Sequence, residues 1–153
     1  MNKLAKRRSH PLHMMLVHFP SALYPFSCIM EIIGWYFKDS IYCMVAIYSL
    51  IGAVAGAVLA ILSGFLEFTK VAPDTKVWKL VLWHGGLNML WLIIFGILLA
   101  IRFRGFSNLM IAETWYLVTL SGATIGLFVS NYLGGELVVN HGVGTINQDI
   151  RVD

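Results

Sequence analysis

The sequence contains little charge for its length. Only 12% of its 153 residues are Asp, Glu, Lys or Arg, whereas 58% are hydrophobic, and the mean hydropathy is +0.75. A soluble domain of this size has too small an interior to hide so much apolar surface. The composition therefore excludes an ordinary soluble globular domain and indicates an integral membrane protein.

Cysteine is also scarce, since only Cys28 and Cys43 are present. No CxxC or CxxCH motif occurs, which disfavours c-type haem attachment and an iron–sulfur cluster held by this chain. The sequence also lacks the Glu-x-x-His and His-Glu-x-x-His metal motifs, a nucleophile elbow and a phosphate-binding glycine loop. Di-iron bundles, zinc proteases, serine hydrolases and nucleotide-binding enzymes are therefore not supported.

Four long apolar segments account for the hydrophobic excess, at about residues 14–37, 42–68, 79–101 and 113–139. Each is long enough to cross a hydrocarbon core of about 30 Å at about 1.5 Å per residue. We expect an all-α integral membrane protein, a four-helix up-down-up-down bundle that forms a single domain over residues 1–153. No cleavable signal peptide is expected, because the first apolar run lacks a small-residue cleavage site. Each half makes a helical hairpin, without an evident internal repeat.

Basic residues are distributed unevenly between the two ends of this bundle. Eight of the eleven lie at the end that carries both termini, namely Lys3, Lys6, Arg7, Arg8, Lys70, Lys76, Lys79 and Arg151. Lys38, Arg102 and Arg104 lie at the other end and weaken the bias. The positive-inside rule then predicts a multi-pass protein of the bacterial inner membrane with both termini in the cytoplasm. We attribute the basic amino terminus to topology and lipid headgroups, and expect no nucleic-acid partner.

Two local patterns affect the expected helices. Pro20 and Pro25 fall inside the first span, where proline removes a backbone donor, so we expect a bent helix with space beside it. The second span carries a stripe of small residues at four-residue spacing, which permits close approach of another helix or of a flat ring. The stripe consists of Gly52, Gly56, Ala60 and Gly64.

All five histidines fall at one end of the expected bundle. They are His10, His13 and His18 at the start of the first span, His84 near the start of the third, and His141 after the fourth. On a helix the first three lie within one broad face. Ionisable residues in membrane segments are costly and tend to face the bundle interior. We therefore expect the imidazoles to share one pocket.

Other polar and small residues accompany the histidines at this end. Glu67 closes the second span, and Glu136 lies near the end of the fourth. Three further residues are expected to support the site: Asn88 on the same helix face as His84, Gly85 as room beside the imidazole, and Arg8 as a basic partner.

Two kinds of metal chemistry need such a cluster. Haem b takes one or two axial imidazoles from facing helices. His18 with His84 is the predicted axial pair, because both lie inside the apolar zone, and His13 is a substitute. Glu67, His10 or Arg8 would then meet the haem propionates. A non-haem iron, zinc or copper site would instead draw on His10, His13, His84, His141, Glu67 and Glu136.

The leading prediction is a membrane haem b protein, or a subunit that carries electrons in a membrane redox complex, rather than a stand-alone enzyme. Its expected partners are the lipid bilayer and other membrane or redox subunits. The alternatives are a non-haem metal-binding membrane protein and an accessory structural subunit whose polar cluster is only a hydrogen-bonded network. A transporter is disfavoured, because the polar residues cluster at one edge rather than at the midplane.

The motifs around these residues resemble those of a bacterial family of membrane proteins, domain of unknown function 2231. The resemblance rests on H-P-L-H-M-M-L-V-H-F-P at residues 10–20, on Glu67, on H-G-G-L-N at 84–88 and on G-G-E-L-V-V-N-H-G-V-G at 134–144. Met14 stands where the family usually has proline. The resemblance implies four spans, and implies that His10, His13, His18, Glu67, His84, Glu136 and His141 belong to one site. It implies no particular activity or cofactor.

Overall fold

A computed structural model of the chain describes residues 12–69, 71–104 and 111–144. Its helices are α1 (Leu12–Leu16), α2 (His18–Phe37), α3 (Ser40–Phe68), α4 (Lys76–Arg104) and α5 (Thr114–Val139). Together α1 and α2 make one span of 26 residues, and α3, α4 and α5 make spans of 29, 29 and 26 residues. The predicted all-α membrane bundle of four spans is confirmed, and each predicted boundary lies within three residues of the observed one.

The first span is interrupted near its start, where Val17 separates α1 from α2. Pro20 has no N–H to donate to the Leu16 carbonyl, so the regular ladder of helix hydrogen bonds is broken at this point. The helix continues through Pro25 without a break. The disturbance predicted from the two prolines is therefore found one turn before the first of them.

A two-residue turn joins α2 to α3. Lys38 takes the left-handed conformation, with φ of 58°, and ends α2. Asp39 then caps α3, because its carboxylate accepts a hydrogen bond of 2.9 Å from the Ile41 N–H. So short a connection makes the two helices antiparallel neighbours.

The four spans surround a common centre in chain order. Neighbouring backbones approach each other between α2 and α3, α3 and α4, α4 and α5, and α5 and α2. The first and third spans therefore occupy one diagonal of the bundle, and the second and fourth spans occupy the other.

The small-residue stripe lets the first two spans pack closely. A Cβ atom on Gly56 would lie 3.0 Å from the Phe19 side chain, and one on Gly64 would lie 2.9 Å from the His13 ring. Both distances are too short for a larger residue. Of the two roles that the stripe permits, Gly56 and Gly64 thus take part in packing against the first span.

Side chains join the first and third spans across the centre of the bundle. The Tyr24 and Phe95 rings stack with centroids 3.8 Å apart and 16° between their planes. Further along the same diagonal, Arg102 Nη2 lies 2.6 Å from Glu31 Oε1, and the two side chains are only 8% and 2% exposed. Breaking such a pair would leave a buried charge without its counter-ion. The assignment of Arg102 to a loop outside the membrane is therefore corrected.

Substitution of a glycine in α5 tests this packing. A Cβ on Gly126 would overlap the Trp91 ring, whereas one on Gly122, a turn earlier, would meet nothing within 4 Å. We expect Gly126→Ala to displace Trp91 and to lower the free energy of unfolding by about 1–3 kcal/mol. Gly122→Ala, the matched control, should be neutral or slightly stabilising. Thermal unfolding in detergent measures both, and equal losses would contradict the packing.

Candidate functional site

The described histidine-bearing segments meet at one end of the bundle. The segment that follows α5 returns to the start of the first span, where a Cβ on Gly144 would lie 3.9 Å from Met14. His141 belongs to this segment. His13 in α1 directly precedes Met14, and His84 in α4 packs on Gly134, seven residues before His141. The up-down-up-down threading therefore brings these distant imidazoles to the same edge, as predicted.

His13 is held against α3 by a main-chain contact. Its Nδ1 lies 2.8 Å from the Ala60 carbonyl oxygen and 3.3 Å from Ser63 Oγ. Because a carbonyl oxygen can only accept, Nδ1 carries the proton and donates it. The ring packs on Gly64, where a Cβ would lie 2.9 Å from the imidazole Cε1. With the proton on Nδ1, the Nε2 atom of a neutral His13 keeps its lone pair.

His84 is held against α5 in the same manner. Its Nδ1 lies 2.9 Å from the Ser130 carbonyl oxygen, and its ring packs on Gly134, where a Cβ would lie 2.7 Å from Cε1. Asn88 Nδ2 donates to the His84 carbonyl at 2.8 Å and lies 3.3 Å from both ring nitrogens. An atom equidistant from the two nitrogens cannot lie along the Nε2 lone pair. Asn88 thus contacts His84 as predicted, and leaves Nε2 available.

The two imidazoles therefore have matching surroundings. Each donates from Nδ1 to a carbonyl on the other helix of its own hairpin, and each packs on a glycine four residues after that carbonyl. Such a hydrogen bond fixes the tautomer and presents Nε2 as a metal ligand. His13 and His84 therefore occupy equivalent positions at opposite corners of the bundle.

A protein-family match covers most of the chain. The family described as "Predicted membrane protein (DUF2231)" matches residues 9–147, which include every described helix. The chain belongs to this family. No curated protein matches the chain, and no solved structure matches it. The DUF2231 description names no activity, so the function has to be inferred from the residues of the site.

His18 of this DUF2231 chain has a different environment. Its side chain is exposed, and its Nδ1 lies 2.6 Å from the Met14 carbonyl oxygen of the same span. His13, predicted as the substitute ligand, is the histidine whose surroundings match those of His84. The pairing of His18 with His84 stays a prediction, and the geometry favours His13 in its place.

The role expected of Gly85 stays a prediction. Gly85 and its neighbour Gly86 are exposed, and a Cβ on either would meet no atom of another helix within 4 Å. Gly64 and Gly134 are the glycines that contact the imidazoles from the facing helices. The signal that could have found them is the four-residue step from Ala60 to Gly64, which recurs between residues 130 and 134.

The remaining predicted ligands lie at the same end in separate contacts. Glu136 is half-buried and accepts a hydrogen bond of 2.7 Å from Asn140 Nδ2. Glu67 and His141 are also half-buried, and each interacts with a further residue. Within residues 12–69, 71–104 and 111–144, no three His, Cys, Asp or Glu side chains form a group suited to a metal ion. The predicted residues His10 and Arg8 lie outside the described residues.

The matched surroundings predict a tautomer for each imidazole. In protein labelled with ¹⁵N-histidine, His13 and His84 should show protonated Nδ1, since both donate to carbonyl oxygens. Gly134→Ala should push the His84 ring from Ser130 and shift its ¹⁵N signals. Gly86→Ala, the control, should leave them unchanged, because a Cβ there would meet nothing within 4 Å. Protonation of His84 on Nε2 in the unaltered protein would contradict this geometry.

Proposed function

We propose that this protein is a membrane haem b protein, or a subunit that carries electrons within a membrane redox complex. The observation that supports it is the pair of matched imidazoles, His13 and His84, both with an Nε2 lone pair available. Haem b would need only one or two imidazole ligands from the protein, which His13 and His84 would supply. A non-haem ion usually takes three or four ligands from the protein, which is more than this pair supplies.

The surroundings of the pair fit an imidazole-ligated iron. The Ala60 and Ser130 carbonyls fix the ring tautomers and raise the basicity of the ligands. Gly64 and Gly134 fix where the rings lie. Bound haem would supply one-electron chemistry, while the apolar helices would exclude water and influence its potential. Arg8, Glu67 and His10 stay the predicted partners of the propionates.

We place the histidine end at the cytoplasmic face of a bacterial inner membrane. Arg102 is buried against Glu31, so it no longer counts as a loop charge in the positive-inside rule. Only Lys38 and Arg104 then oppose the eight basic residues of the other end. Both termini would be cytoplasmic, and electrons would be exchanged with a redox partner subunit near that face.

The absorption spectrum of the purified protein tests the haem proposal. We expect a Soret band that shifts on reduction. His13→Ala and His84→Ala should each weaken haem retention by at least about tenfold, because each removes a ligand. His18→Ala is the matched control and should keep the spectrum. Loss of the band in His18→Ala, with retention in His13→Ala, would instead support the pairing of His18 with His84.

Two other outcomes would contradict haem binding. A colourless protein with stoichiometric iron, zinc or copper in elemental analysis would support the non-haem alternative. A colourless, metal-free protein with an intact fold would support a hydrogen-bonded network in an accessory structural subunit.

Cysteine labelling tests the orientation. In a background with Cys28→Ala and Cys43→Ala, single cysteines are placed at two exposed loop positions, Glu113→Cys and Ala72→Cys. A membrane-impermeant maleimide added to intact spheroplasts should label residue 113 and should reach residue 72 only after permeabilisation. The reverse pattern would place the histidines at the periplasmic face.

A further inference from the structure

Two contacts join the first and third spans, and in each the two residues are 71 positions apart. They are Tyr24 with Phe95 and Glu31 with Arg102. His13 and His84, whose rings have matching surroundings, have the same separation in the sequence. The three pairs extend over about 27 Å of helix, given about 1.5 Å per residue. A constant spacing over that length means that the two spans run parallel and present equivalent positions to each other.

The second and fourth spans repeat with a spacing of 70 residues. Gly52, Gly56 and Gly64 of α3 reappear in α5 as Gly122, Gly126 and Gly134. The carbonyls that hold the two imidazoles, from Ala60 and Ser130, have the same spacing. The two spacings differ by one residue, because the segment from Glu31 to Gly52 is one residue longer than the segment from Arg102 to Gly122.

These relations describe two equivalent hairpins, the first built from α1, α2 and α3 and the second from α4 and α5. Both begin at the histidine end, so a rotation about an axis along the bundle relates them, without inversion. Such a rotation exchanges the two members of each diagonal, which agrees with the order of the helices. It also brings equivalent residues face to face on the axis, as the stacked rings of Tyr24 and Phe95 are.

We propose that the chain consists of two fused copies of one helical hairpin. We also propose that the ion pair between Glu31 and Arg102 positions the two spans that carry His13 and His84. Two separate, identical hairpins would place the same residue at both positions, and buried like charges would repel each other. Fusion allows opposite charges there. Since a slip of one residue moves a side chain by about 1.5 Å, the register fixed by this pair determines the relative positions of His13 and His84 along the bundle.

The internal repeat was not evident in the sequence, because most equivalent positions differ in chemistry. Tyr24 faces Phe95, and Glu31 faces Arg102, whereas the histidines are identical. At the histidine end of the axis the two equivalent residues are the same, which suits a site that needs two equal ligands. The consequence for bound haem rests on the proposed function, but the equivalence of the hairpins does not.

Charge reversal in the full-length protein tests the equivalence. Glu31→Arg and Arg102→Glu, made singly, each place two like charges in contact, and should lower the unfolding temperature in detergent by roughly 10 °C or more. The double variant restores an opposite pair and should recover at least half of that loss. Complete recovery is not expected, because Arg102 also lies over the Tyr116 ring, 5.6 Å from its centroid, and the equivalent residue of the first hairpin is Ala46.

A second measurement shows whether the ion pair positions the histidines or only stabilises the fold. The ¹⁵N signals of His13 and His84 should move in the single variants that still fold, and should return in the double variant. Neither measurement needs bound haem, so a protein without haem would overturn the proposed function while leaving this test intact.

A polar pair unrelated by the axis serves as the control. Ser21 Oγ accepts a hydrogen bond of 3.3 Å from Asn131 Nδ2, but these residues are 110 positions apart. Their exchange, Ser21→Asn with Asn131→Ser, should not recover the stability lost in the single variants. The proposal is overturned if the charge-exchanged protein is no more stable than the single variants, or if its histidine signals do not return.

Discussion

A buried pair of opposite charges, Glu31 with Arg102, holds together the two spans on which the histidines lie. Inside a bilayer no hydrophobic force favours one helix arrangement over another, because lipid tails are as apolar as the helix surfaces. Close packing and buried polar contacts therefore determine the arrangement. The ion pair and the stacked rings of Tyr24 and Phe95 do so along one diagonal, while glycines bring the helices of each hairpin together.

The candidate site depends on this packing between the spans. Glycine at residues 64 and 134 leaves space for an imidazole, and the carbonyl one turn earlier takes the proton of its Nδ1. A ring bound in this way has one nitrogen left for another ligand. Because the two hairpins repeat the arrangement, the pair of nitrogens is symmetric. A metal centre with two equal axial positions matches that symmetry better than an irregular mixture of carboxylates and imidazoles.

Much of the fold could be predicted from the sequence, since four apolar runs of sufficient length allow few other architectures. The edge at which the histidines lie followed from the same reasoning. The directions of the individual histidine side chains could not be predicted in this way, because the helix is interrupted at Val17, before Pro20. A prediction that assumes one uninterrupted helix misplaces the residues around that break. His18 is consequently exposed, whereas His13 packs against α3.

The partners of the histidines were harder to predict than the histidines themselves. Main-chain carbonyls have no sequence signature, so Ala60 and Ser130 gave no sign of their role. Gly85 is adjacent to His84 in sequence, but the glycine that contacts the ring from another helix is Gly134. Arg102 looked like a loop charge because its counter-ion lies 71 residues earlier. Each of these contacts depends on tertiary packing between spans.

The electron paramagnetic resonance spectrum of the oxidised protein tests most directly whether one histidine from each hairpin binds a shared iron. If both histidines bind the iron, the protein should show a low-spin ferric haem signal, which becomes high-spin or disappears in both His13→Ala and His84→Ala. A protein without a haem signal, or a low-spin signal that survives the loss of either histidine, would contradict it.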